Sequence, residues 1–121
     1  MTEPVRLADA FASFSDTWSP RVAAALNGQH VKLAKLEGAF VWHRHPDADE
    51  LFWVVEGRLV LELRDRDVAL GPGELFVVPA GVEHRPVVPE GVASVVLFEP
   101  AGTLNTGNVE NERTVHEPRR L

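Results

Sequence analysis

The chain has 121 residues, 45% hydrophobic and 25% charged, with a formal net charge of −6 and no cysteine. That length supports one domain around a single core. The missing cysteines exclude a disulfide framework, a zinc ribbon and thiol chemistry, and the acidic balance speaks against a nucleic-acid partner, which needs a basic patch.

Leu7, Ala10, Phe11 and Phe14 recur at helical spacing and predict a short amphipathic helix over Val5–Phe14, ended before Trp18-Ser19-Pro20. Strands follow. Arg21–Leu26 and His30–Leu36 flank Asn27-Gly28, a hairpin-turn signal. Further short strands are expected over Phe40–His43, Glu50–Glu56, Leu59–Leu63, Asp67–Leu70, Leu75–Val78, Val82–Val87 and Ala93–Phe98, with turns at Glu56-Gly57, Asp65-Arg66 and Gly71-Pro72-Gly73. Many short strands with no room for crossover helices indicate an all-β sandwich or barrel. The expected organisation is a helical segment over 1–20, a β-barrel over 21–100 and an irregular tail over 101–121. No apolar run is long enough to span a membrane, and Met1–Arg6 does not read as the start of a signal peptide. A cytoplasmic, soluble protein with no membrane partner is therefore expected.

Two spaced sets of residues carry the chemistry. The first is Gly38-x4-His43-x-His45-x4-Glu50-x6-Gly57, and the second is Gly73-x5-Pro79-x-Gly81-x2-His84. Residues two apart on a strand share a face, so His43 and His45 can grip one ion together. The Pro46-Asp47-Ala48-Asp49 turn can then bring the Glu50 carboxylate alongside. Three imidazoles and one carboxylate suit a divalent transition metal: Fe, Mn, Ni, Co or Zn. Burying them without a cation would be costly. His30 and His116 lack such company and read as surface or core residues. Glu83 and Arg85 alternate away from His84 as solvated charges. Asp47 and Asp49 read as a solvated turn, with Asp49 as an alternative acceptor for a ligand imidazole. Asn105 and Asn108 read as turn residues within reach of a pocket mouth.

Facing follows from the ligands. Glu50, Phe52 and Val54 should point inward, as should Val41 with His43 and His45. Phe40, Trp42, Leu51 and Trp53 would then form an outer apolar patch. Such a patch is covered either by the N-terminal helix or by a second copy in a homodimer. Lys32 and Lys35 lie on a strand of ambiguous facing, so no inward cation can be assigned.

The two sets resemble the paired signatures of the cupin superfamily. The usual first signature has five residues between its glycine and first histidine where this chain has four. The usual second one ends in an asparagine where this chain has Val88. Neither departure touches a ligand. The resemblance spans Gly38 to Val88 and implies an all-β, single-domain cupin: a double-stranded β-helix or jelly-roll barrel with a short N-terminal helix. It also implies a metal at His43, His45, Glu50 and His84. Cupins include dioxygenases, isomerases, decarboxylases, lyases, storage proteins and sugar-binding sensors, so fold alone does not choose among them. With no tyrosine, the chain lacks the phenolic base of some small cupin lyases. With no cysteine, it lacks the crosslink of thiol dioxygenases. Three readings stand. One is a metalloenzyme of dioxygenase or isomerase type acting on a small oxygen-chelating molecule. The others are a non-catalytic binding or sensing cupin and a metal-free structural dimer. The stretch from Glu99 to Gly107 is similar to the tail of short stand-alone cupins.

Overall fold

The computed structural model describes residues 3–109, 111, 114–116 and 118–121. Met1 and Thr2 of the N-terminal segment, and Glu110, Glu112, Arg113 and Glu117 of the tail, lie outside the described residues. One helix, α1 (Leu7–Ala12), precedes seven strands: β1 (Arg21–Leu26), β2 (Gln29–Ala39), β3 (Glu50–Glu56), β4 (Leu59–Leu63), β5 (Asp67–Leu70), β6 (Leu75–Val78) and β7 (His84–Pro100). A two-residue strand, β8 (Arg119–Arg120), lies in the tail and pairs in parallel with β1, so that segment is not wholly irregular. No helix among the described residues is long and apolar enough to cross a membrane.

α1 is shorter than its apolar spacing suggested because its N-terminus has no side-chain cap and its C-terminal turn closes at Ser13. A helix of this length is marginal in water. It is held by Phe11, which is buried against Leu33 and Val96, a burial worth about 2 kcal/mol. Asn27 and Gly28 both take positive φ, the backbone of a tight hairpin turn, and set Leu26 opposite Gln29.

The strands form one sheet in the order β5-β4-β7-β2-β1-β8, with β3 paired to both β6 and β7. β7 is the hub. Its first residues pair with β4, its later ones with β3, and its other edge runs along β2. The stretches Val82–Val87 and Ala93–Phe98, expected as two strands, are therefore parts of one. Residues 89–91 bulge where Gly38 faces Val88 while Glu37 already faces Val92.

The strand expected over Phe40–His43 does not form. The Phe40 N–H donates to the Pro86 carbonyl at 2.9 Å, but proline has no N–H to return the bond, and the ladder stops. Beyond it only a single bridge joins His43 to His84.

The inner faces share a core of Ala34, Leu36, Phe52, Val54, Leu61 and Val95 with their neighbours. Outside, α1 covers Leu33 and Val96, while Trp53, Leu75 and Val77 stay exposed at 40%, 56% and 42%. The outer patch therefore differs from the one expected. Phe40 is buried and stacks on Trp18 at 4.4 Å, and Trp42 lies under the Arg64 guanidinium at 3.8 Å. The open apolar face consists of the cross-strand pairs Leu51–Val77 and Trp53–Leu75.

Candidate metal centre

β3 opens with Glu50 and β7 with His84, while His43 and His45 lie on the irregular stretch after β2. The fold brings all four together, with one donor atom from each within 4.8 Å of the others. All four are buried. Nδ1 of His43 meets the Val41 carbonyl at 2.9 Å, and Nδ1 of His84 meets the Val82 carbonyl at 3.0 Å. A carbonyl can only accept, so each ring keeps its proton on Nδ1 and turns the Nε2 lone pair inward, the tautomer a metal ligand needs. Nε2 of His84 is fully buried without a hydrogen-bond partner. Glu50 Oε1 stands 3.1 Å from Nε2 of His45 and 3.5 Å from that of His84. An orphaned buried nitrogen among two further imidazoles and a carboxylate is the donor chemistry of a transition-metal site, and these residues can hold one.

The electrostatics agree. Burial, followed by the neighbouring His84, lowers the His43 pKa to about 4, so the ring is neutral at physiological pH. Burial alone would raise the Glu50 pKa. The Glu99 carboxyl and the His45 imidazole outweigh it and hold Glu50 well below the usual range, as an anion. Glu99, 1% exposed, is pushed well above its usual range by burial and by the Glu50 charge. Its Oε1 accepts from Lys32 Nζ at 2.8 Å. Lys32, 1% exposed, thus faces inward and is tied up in this pair. Sequence reasoning left the facing of Lys32 open and missed Glu99. The signal was present in the alternation Lys32, Ala34, Leu36 on one strand and Ala93, Val95, Leu97, Glu99 on the other, which puts one charge of each sign on the inner face.

A pocket lined by Trp18, Leu36, Phe40, Phe52, Leu97 and Asn105, among others, reaches His43 and Glu50. Phe40, not Val41, is the inward residue here. Trp18 holds its place at a positive φ by donating its indole N–H to the Glu37 carbonyl at 2.9 Å. The clear interior space is about 30 Å³, room for a water molecule or two. Asn105 lines this pocket, and Asp49 does not serve an imidazole. Its Oδ1 accepts the Ala80 N–H at 2.8 Å and ties the two signature loops together. Glu83 and Arg85 point away, paired with Arg64 and Glu62. His30 and His116 stand outside the cluster. Gly57, Gly73 and Gly81 all take positive φ.

Residues 29–99 match the sequence profile of the Cupin_2 family, the cupin domain. A cupin-2 domain protein of Shewanella frigidimarina NCIMB 400 is 44% identical, with a TM-score of 0.77 over 79% of this chain and 93% of its own. The uncharacterized protein YdbB of Bacillus subtilis (strain 168) is 41% identical over 61 residues, 50% of this chain and 54% of that one. Acireductone dioxygenase of Rhodopseudomonas palustris (strain TIE-1) is 38% identical over 48 residues, 36% of this chain and 28% of the dioxygenase. The chain thus spans about half the length of YdbB and about a quarter of the dioxygenase. With its sheet folded around a four-donor cluster and its profile match covering more than half of its residues, the chain belongs to the cupin family.

Proposed function

We propose that this cupin is a metalloenzyme in which His43, His45, Glu50 and His84 hold one divalent transition metal ion, with dioxygenase- or isomerase-type chemistry on a small molecule that offers adjacent oxygens. The observation that carries the reading is the convergence of four buried donors, one of them the partnerless His84 Nε2, at the end of an apolar pocket. Four protein ligands on an ion that prefers about six leave positions for such a molecule, whereas structural sites are usually closed. When bound, such an ion polarises a chelated oxygen or activates dioxygen.

The chain's own residues do the rest. The Nδ1 hydrogen bonds fix the rings of His43 and His84, and the apolar walls from Phe40, Phe52 and Leu97 limit water. The inward-facing cation, Lys32, is committed to Glu99. This disfavours a phosphorylated substrate and favours a neutral or aromatic one, such as a catechol, an enediol or a 1,2-diketone. The 48-residue likeness to acireductone dioxygenase supports the oxygenase direction. The narrow interior favours a second reading, a binding or sensing cupin without turnover. A homodimer through the face of Leu51, Trp53, Leu75 and Val77 accompanies either reading.

The test is elemental analysis of protein purified without a nickel column, followed by 4-nitrocatechol titration and a turnover screen with iron, manganese, nickel, cobalt and zinc restored in turn. Stoichiometric metal in the parent, none in His84→Ala, and turnover of a chelating substrate are the expected results. Full metal occupancy in His84→Ala would refute the ligand assignment, and chelate binding without turnover would favour the sensing reading.

A further inference from the structure

The stretch that carries His43 and His45 is not part of a continuous ladder, so something else must hold two ring donors in place. On one side His43 exchanges backbone bonds with His84, at 3.0 Å and 2.8 Å, and the His45 carbonyl accepts from the Gly81 N–H at 2.9 Å. Arg44, between them, is gripped by the tail. Its N–H donates to Asn108 Oδ1 at 2.8 Å, and its carbonyl accepts the Asn108 N–H at 2.9 Å. One asparagine thus satisfies both backbone groups of the residue joining the two candidate ligands, as a neighbouring strand would.

Gly107 makes this approach possible. It takes φ +56, and a Cβ there would collide with the Arg44 carbonyl oxygen and come within 3.0 Å of the His43 ring. Only glycine fits both the conformation and the gap. The tail that presents these residues is itself built in. The Gly107 N–H bonds the Leu104 carbonyl at 3.0 Å, and the buried Thr106 hydroxyl pairs with Thr114 at 2.6 Å. Lys32, already joined to Glu99, lies 3.3 Å from the Thr103 carbonyl.

We propose that Gly107 and Asn108 are positioning residues for the metal: the tail clamps the backbone between His43 and His45 and pre-sets both imidazoles for one ion. The inference rests on the metal reading above and adds two tail residues that are not among its four donors. Elements that orient ligands in this way typically contribute about 10–100-fold to metal affinity.

The test uses the full chain and cobalt(II) as the probe. Affinity is read by competition with a chromophoric chelator, and coordination is read from the visible d–d bands. Asn108→Ala and Gly107→Ala should bind cobalt about 10–100-fold more weakly, with altered bands. Asn108→Asp keeps the acceptor for Arg44 and should stay within about threefold of the parent, a rescue that loss of bulk stability alone would not produce. Parental affinity and bands in Asn108→Ala, or an equal loss in Asn108→Asp, would overturn the proposal while leaving the metal reading intact. A parent that takes up no cobalt would sink both. If Gly107→Ala fails to fold, the Asn108 pair decides.

Discussion

In Lys32→Met the ammonium that meets Glu99 Oε1 at 2.8 Å is lost while the side-chain length is nearly kept. The Glu50–Glu99 pair is then left with surplus negative charge where both carboxyls are shielded from water. Breaking a buried ion pair by removing one partner costs about 3–5 kcal/mol. The protein has one escape, which is to take up a proton. From the ordinary glutamate value of 4.5, protonating one carboxyl at pH 7 costs about 3 kcal/mol, at roughly 1.4 kcal/mol per pH unit. That figure is a ceiling on the penalty. The sign follows from linkage: a folded-state pKa raised above the unfolded one leaves stability intact below pH 4.5 and erodes it as pH rises. The gap between variant and parent should therefore close on acidification, to no more than about 0.7 kcal/mol at pH 5. With an unfolding entropy of about 2.1 cal/mol/K per residue, the 121 residues give about 0.25 kcal/mol/K. The variant should then melt below the parent by at most roughly 12 °C at pH 7 and by at most about 3 °C at pH 5. Thermal melts of chelator-treated proteins followed by circular dichroism measure both. A gap that is the same at the two pH values, or absent at pH 7, would refute the buried-pair account.

Metal-free protein should also lose stability as pH falls from 6.5 to about 4, because the unfolded chain binds a proton that folded His43 refuses. The loss should approach 3 kcal/mol in urea unfolding, and His43→Leu, which lacks the group, should show correspondingly less; parallel losses would remove His43 as the cause. The exposed face of Trp53, Leu75 and Val77 predicts a dimer by light scattering that Trp53→Glu splits, and a parent mass of one 13.3 kDa chain at micromolar concentration would reject it. Gly57→Ala would place a Cβ 2.8 Å from both Ala93 Cα and the Val92 carbonyl oxygen at a φ of +88°. It should cost about 2 kcal/mol or more, and a melt within about 2 °C of the parent would contradict the close approach.

Much of the fold was legible because alternation and turn chemistry act locally. Asn27-Gly28 reads as a hairpin from two residues, and the inward set Glu50, Phe52 and Val54 follows from period two once Glu50 is placed. The four donors were legible because their spacing is itself a short-range pattern. What escaped depends on long-range geometry. Phe40 turned inward because Pro86, 46 positions later in the sequence, ends the ladder. The Lys32–Glu99 pair joins residues 67 apart, and the facing of Lys32 depended on a partner strand not yet known. Asn108 looked like an ordinary turn residue because nothing nearby in sequence says that it will meet Arg44.

β7 carries His84 at its first residue and Glu99 near its last. Slipping that strand by a single residue against β2 would turn Val95, Leu97 and Glu99 outward and bring Val96 and Phe98 in, parting Glu99 from Lys32. The same slip would move His84 away from His43. The donor cluster is therefore also a proofreader of strand pairing, because only a correctly threaded chain assembles it. Pairings this distant in sequence close late in folding. An ion that binds only the assembled cluster would then drain mispaired chains toward the native register by mass action.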